Sequence, residues 1–338
     1  MKQTGKRVTI KEVAEDAQVS VAAVSKVLRN SYGVSAKMRE RVEASMRKLD
    51  YRPHTAARGM RGKTYTIGIL QNDLRNPYLP NIFDGVIEGL EGTGYQPLLG
   101  VGQSQVPLES ALINSMIDRQ MDGLIMIAPR LPEPELERIA RQIPTCVIAY
   151  HHDQETAFDT ANFDSHLGAR MATKHLLAQG SRNPVMLSLA LPESDATNVI
   201  RQRELGFMAE LEAHGIETEN RVTYSHFDEA RTQQVIHDLL NSSEPPDGLF
   251  CWSDIVALDT FTVAESLNIR VPEALAVVGY DNTFDQRLRP FGLSSLNQSG
   301  HRLGSEAARL LLERIGGRTK AEHSLFRPEL IVRGSSAT

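Results

Sequence analysis

A short stretch near the start of the chain carries the side chains best suited to reading a polyanion. Ser20 can cap a helix, and the segment it opens reads Ser-Val-Ala-Ala-Val-Ser-Lys-Val-Leu to Leu28. Val24, Val27 and Leu28 recur at helical spacing and face inward, which leaves Val21, Ala22, Ser25, Lys26 and Arg29 on the outer face. Ser25 and Lys26 can reach phosphates or base edges, and Val21 and Ala22 can meet a thymine methyl group.

Three helices must hold that face in place. Thr9-Ile-Lys-Glu12 is a capping-box pattern opening a first helix, with Ile10, Val13, Ala14 and Ala17 at helical spacing. Gln18-Val19 reads as a tight turn. A third helix opens at Ser35 and runs to about Leu49, with Met38, Val42, Met46 and Leu49 inward and Lys37, Arg39, Arg41, Arg47 and Lys48 outward. Two short helices around a turn, braced by a third, make a helix-turn-helix unit, whose second helix enters the major groove. Charge agrees: residues 1–63 carry 15 Lys+Arg against 6 Asp+Glu, a net of +9, in a chain whose total is −5. A basic head binds phosphates, whereas a body of net −14 is repelled by them. In the following Tyr51-Arg-Pro-His-Thr-Ala-Ala-Arg-Gly-Met-Arg-Gly-Lys63, residues Thr55–Met60 suit either a short helix that orders on binding, with Met60 wedging between base steps, or a flexible linker.

From Thr64 the pattern changes. Apolar runs at Tyr65–Leu70, Pro97–Val101, Gly123–Ala128, Cys146–Tyr150, Pro184–Leu189, Gly248–Trp252 and Leu275–Tyr280 alternate with amphipathic segments. Those segments include Ile82–Gly92, Leu108–Arg119, Ser165–Gly180, Arg201–Gly215, Ala230–Asn241 and Ile255–Leu267. Alternation of this kind predicts doubly wound parallel sheets in two lobes, with a switchover near residues 160–165 and a ligand crevice beyond the strand carboxyl ends. Fingerprints of catalysis are missing: Gly100-Val-Gly102 lacks a third glycine at the right spacing, and there is no Walker A, GxSxG or HExxH sequence. His151-His152-Asp153 reads as polar cleft lining or surface, so no metal site is expected. Cys146 and Cys251 each sit in a strand-like apolar run and read as free core thiols. No apolar run reaches the ~18–20 residues of a membrane span, and the N-terminus has no apolar signal segment, so cytoplasmic residence is expected.

Taken in order, VTIKEVAEDAQVSVAAVSKVLRN, YRPHTAARGMRGK, NPYLPNIFDGVIEGLEGTGY, DGLIMIAP, RQRELGF and VPEALAVVGYDNT resemble the LacI/GalR family of bacterial transcription regulators over nearly the whole chain. The resemblance implies an all-α helix-turn-helix head (1–52), a hinge (53–63) and an α/β core (64–338) of two doubly wound lobes, similar to periplasmic sugar-binding proteins. It places the N-lobe at about 64–162 and 296–324, and the C-lobe at about 163–295 with the C-terminal tail. It further implies a repressor that is not an enzyme, a homodimer on a pseudo-palindromic double-stranded operator, and no cofactor beyond a small carbohydrate-like effector. The operator-contacting set it implies is Ser20, Val21, Ala22, Ser25, Lys26 and Asn30, with Met60 at the intercalating position; Thr9 and Arg29 complete the expected DNA-binding set. The effector set is Asn72, Asp73, Tyr78, Tyr150, Arg203, Phe227, Ser253, Asp254 and Asp281.

Departures from the family pattern are Gln18 at the turn glycine, Ala23 at a threonine, Lys26 at an arginine, Met60 at the hinge leucine and Ser253 at a cleft asparagine. Lysine gives up bidentate contacts, which bears on operator preference. No leucine heptads follow Arg333, so nothing there would join two dimers. The rival classes are a solute-binding protein, opposed by the basic head, a Rossmann-type enzyme, opposed by the missing fingerprints, and an activator or corepressor-dependent regulator on the same scaffold.

Overall fold

The computed structural model describes residues 8–28, 32–51, 62–152, 155–191, 197–283 and 292–337. The chain separates into two units, 1–64 and 65–338.

In the first unit the capping box forms: the Glu12 amide donates to Thr9 Oγ1 at 3.4 Å, and the Thr9 amide donates to Glu12 Oε2 at 2.6 Å. Helix α1 (Ile10–Asp16) follows, then the turn, where Gln18 takes a left-handed φ of 50°. A side chain in that region is strained unless its surroundings hold it. Here Arg41 clamps the turn, its Nη2 donating to the carbonyls of Ala17 at 2.6 Å and Gln18 at 3.2 Å. Ser20 Oγ accepts from the Ala23 amide at 3.1 Å and opens α2 (Val21–Leu28), and Ser35 caps α3 (Ala36–Lys48). Val13, Ala14, Ala17, Val24, Val27 and Val42 are buried between the three helices, with Met38, Met46 and Leu49 packed against them.

The second unit holds two six-stranded sheets. The first contains β1 (Thr66–Gln71), β2 (Gln96–Val101), β3 (Gly123–Ile127), β4 (Thr145–Ile148), β5 (Asp159–Phe163) and β11 (His323–Phe326), in the order β11-β5-β4-β3-β1-β2. The second contains β6 (Pro184–Leu189), β7 (Val222–Ser225), β8 (Gly248–Cys251), β9 (Ala276–Asp281), β10 (Ser294–Asn297) and β12 (Glu329–Ile331), ordered β12-β10-β9-β8-β6-β7. All pairings are parallel except β10 with β12. Helices α4 (Tyr78–Leu90), α5 (Val106–Asp118), α6 (Glu133–Ala140) and α11 (Gly300–Ile315) cover the first sheet. Helices α7 (Ser165–Ala178), α8 (Val199–Ala213), α9 (Glu229–Leu240) and α10 (Asp254–Ser266) cover the second. Each sheet has an apolar cluster on both faces, as parallel sheets require.

The chain crosses between lobes three times: after Phe163, between Asn297 and Gly300, and between Phe326 and Glu329. Strand–helix alternation alone showed one crossing, because β5 and β10–β12 are short and polar in sequence. Where α4 meets α11, glycines let the backbones touch: a Cβ at Gly304 would lie 1.9 Å from the Ile82 carbonyl oxygen, and one at Gly85 2.0 Å from that of His301. Cys146 and Cys251 are both free, buried in different sheets.

Candidate nucleic-acid interface and effector cleft

On α2, Ser20, Val21, Ala22 and Lys26 are exposed. Ser25 is not: it is 9% exposed, a correction to its expected place on the outer face. It stands three residues before Leu28, about 60° away around the helix, at the edge of the buried stripe. Thr9 is committed to its cap, its hydroxyl also donating to Glu12 Oε2 at 2.8 Å. Arg29, Asn30 and Met60 lie outside the described residues.

In the body, the strand carboxyl ends of both sheets open onto one cleft of about 1280 Å³. Among its lining residues are Asn72, Asp73, Tyr78, Tyr150, Arg203, Phe227 and Asp281. Three non-glycine residues at those strand ends hold left-handed backbone: Ala128 (φ 48°), Ala149 (61°) and Asp281 (108°). Such strain concentrates where a scaffold fixes groups around a ligand.

Arg203 projects from α8 and is 4% exposed. Its guanidinium lies 3.6 Å from the centroid of the Tyr280 ring and its Nη1 donates to the Trp252 carbonyl, while Nε is buried with no acceptor. Asp281 ends β9 at 6% exposed, its Oδ1 accepting from Gln298 Nε2 at 2.6 Å and its Oδ2 from Asn76 Nδ2 at 3.1 Å. Burial pushes its carboxyl up to about 6, against the pull of Arg203. Asn76 belongs to the first lobe and Asp281 to the second, so this bond spans the cleft. At the mouth a second bridge forms. Arg75 is held by Asp73 at 2.6 Å, lies 5.8 Å from the Phe227 ring centroid and donates to the Phe227 carbonyl at 3.3 Å. Tyr78 donates to the Gln298 carbonyl at 3.0 Å, and Asn72 Nδ2 to the Ala128 carbonyl at 3.4 Å.

Two expected cleft residues stand behind the wall instead. Asp254 is 1% exposed and absent from the lining. Its carboxylate accepts from Ser295 Oγ at 2.6 Å and from the Thr283 amide at 2.7 Å, which fixes the loop after β9. Burial and the nearby Asp281 push it up to about 7. Ser253 is fully buried at the start of α10 and also off the lining, its side chain too short to reach the cleft from there.

His151, read as cleft lining or surface, is largely enclosed, and burial takes its pKa down to about 4. His152 pairs with Glu133 at 3.0 Å and stacks on Tyr150. Among the described residues no three His, Cys, Asp or Glu side chains group as metal ligands, and no helix is long and apolar enough to cross a membrane. Sequence reasoning missed Asn76, Gln298, Trp252 and Arg130 on the cleft wall. Asn76 lies within the NPYLPNIF motif that carries the resemblance, so it could have been found; the others follow no pattern of their own.

Residues 9–54 match the family described as bacterial regulatory proteins, lacI family, and residues 173–336 match the periplasmic binding protein-like domain. The chain thus carries a lacI-family DNA-binding domain and a periplasmic binding protein-like domain. Similar curated relatives include the HTH-type transcriptional repressor PurR of Pectobacterium atrosepticum, 29% identical over 335 residues and covering 97% of each chain. PurR of Erwinia tasmaniensis is 28% identical with the same coverage. Similar solved structures include a transcriptional regulator CelR–cellobiose complex, at 26% identity and TM-score 0.71, covering 97% of this chain and 100% of that one. The Lac repressor bound to ONPG in its repressed state matches at 25% identity and TM-score 0.81, covering 98% and 100%. The protein is accordingly a DNA-binding transcriptional repressor under small-molecule control, and not an enzyme.

Proposed function

We propose that the protein represses transcription in the cytoplasm as a homodimer on a pseudo-palindromic operator, and that a sugar or sugar derivative bound in the cleft sets its affinity for DNA. The observation that carries this reading is the Arg203–Asp281 cleft, enclosed by two lobes, in a chain that also has a basic helix-turn-helix head. An arginine and an aspartate on one cleft suit a hydroxyl-rich ligand, since each forms charge-assisted bonds to several hydroxyls. Trp252, Tyr150 and Phe227 offer apolar faces to a sugar ring.

Ser20, Val21, Ala22 and Lys26 are the exposed candidates for operator contact on α2. Residues 1–52, 53–63 and 64–338 then serve as DNA-binding head, hinge and effector core. Dimerisation is supported by apolar side chains left open on the outermost strands of both sheets: Leu98 (46%) and Leu99 (41%) on β2, and Tyr224 (47%) on β7. Two weak half-site contacts on one dimer reinforce each other because the second is intramolecular.

The test is recovery of genomic fragments bound by the purified full-length protein at near-physiological salt. A shared palindromic site, lost with Lys26→Ala, is the expected result; binding without a common sequence would refute the operator-specific reading.

A further inference from the structure

The cleft is larger than a neutral monosaccharide needs, exceeding the ~300–1,000 Å³ typical of sites for drug-sized ligands. Its charged groups are also unevenly satisfied. Asp73 is held by Arg75, Glu133 by His152, and Glu229 and Asp259 by Gln233. Asp281 is held by Asn76 and Gln298. Arg203 has the Trp252 carbonyl and the Tyr280 ring. Arg130 differs from all of these.

Arg130 lines the cleft from the loop after β3, two residues beyond the left-handed Ala128. Its backbone is anchored, its amide donating to Glu109 Oε2 at 2.8 Å in the first turn of α5. The side chain has no such anchor: among the described residues it forms no ion pair, and its Nε is buried without an acceptor. Glu109 behind it is wholly buried; burial raises its pKa, and the charge of Arg130 works against that rise. A half-buried guanidinium that lines a ligand cleft and forms no ion pair among the described residues is suited to a ligand oxyanion.

We propose that Arg130 is an oxyanion subsite, so that the effector is an acidic polyol with hydroxyls at Arg203 and Asp281 and a carboxylate or phosphate at Arg130. The proposal rests on the polyol reading of the cleft given above.

Calorimetric titration of the full-length protein with aldonates, uronates and hexose phosphates, each beside its neutral parent sugar, tests it. At least one acidic member is expected to bind about 10- to 100-fold more tightly than its parent, the worth of one charge-assisted bond. The carboxylate and phosphate arms show which oxyanion is used. Arg130→Gln should abolish that preference while leaving the parent's affinity unchanged, and Arg130→Lys should restore part of it. Equal binding of a neutral parent, or a loss from Arg130→Gln that falls on neutral and acidic ligands alike, would overturn the subsite and leave the polyol reading standing. Binding of no member of either set would overturn both.

Discussion

Arg203 combines roles that a smaller residue cannot share: it covers the Tyr280 ring, ties down the Trp252 carbonyl and lines the cleft. Arg203→Ala is expected to weaken effector binding by about 100-fold or more, since a charge-assisted contact and its neighbours are lost together. Operator binding without ligand should persist, because the substitution touches no residue of the head; a DNA-shift assay with and without effector separates the two. His151 gives a pH signature. Its folded pKa of about 4 lies below the ordinary value of 6.5, so the folded state holds fewer protons than the unfolded one in that window. The stability due to neutral His151 is fully present above pH 6.5 and is lost as pH falls toward 4. His151→Gln should therefore flatten the acid limb, narrowing the fall between pH 7 and 4.5 by about 2–3 kcal/mol in urea unfolding. Asp254 and Asp281 titrate with the opposite sign, their raised pKa values making the fold more stable as pH falls from 7 toward 4. Comparison of variant with wild type removes their contribution.

Among the elements, legibility followed hydrophobic continuity. β1, β3, β4, β6, β8 and β9 are apolar runs buried on both faces, and they could be read directly. β5 and β10 could not, because Asp159, Thr160, Asn162, Ser294 and Ser295 are buried polar residues whose partners come from distant segments. Arg318 pairs with Asp159 at 2.8 Å, for example, and Ser335 Oγ accepts from the Ser294 amide at 2.8 Å. The cleft divided in the same way. Arg203 and Asp281 sit in recognisable motifs, whereas Gln298 and Arg130 acquire their positions only when the sheets assemble. Ser253 and Asp254 were misplaced because motif position fixes the strand end but not the side of the wall a side chain faces. The α4–α11 contact was invisible too, since a helical glycine carries no label for what crosses it. Gly304→Ala should force these helices apart and cost about 1–3 kcal/mol in denaturant unfolding, with the overpacking felt in the first lobe.

For the whole molecule, the division of charge was fully legible: a +9 head against a −14 body orients the protein on DNA before any base is read. Association should show its open strand edges at work. Leu98→Asp with Leu99→Asp is expected to give a monomer in sedimentation, with operator affinity reduced by at least tenfold while the isolated chain stays folded. Sedimentation as an unchanged dimer would move the interface elsewhere.

The three crossings also bear on how the protein is made. β11 pairs with β5 from 163 residues further along, and β12 with β10. During synthesis the first sheet thus waits, with β5 unpaired on one side, until residue 326 has left the ribosome. A nascent chain of 315 residues would already carry both ligand-facing walls, yet would present open parallel and antiparallel edges to its neighbours on a polysome. The order of emergence thus favours assembly late and all at once, and it makes premature termination near α11 a route to aggregation rather than to a half-working regulator.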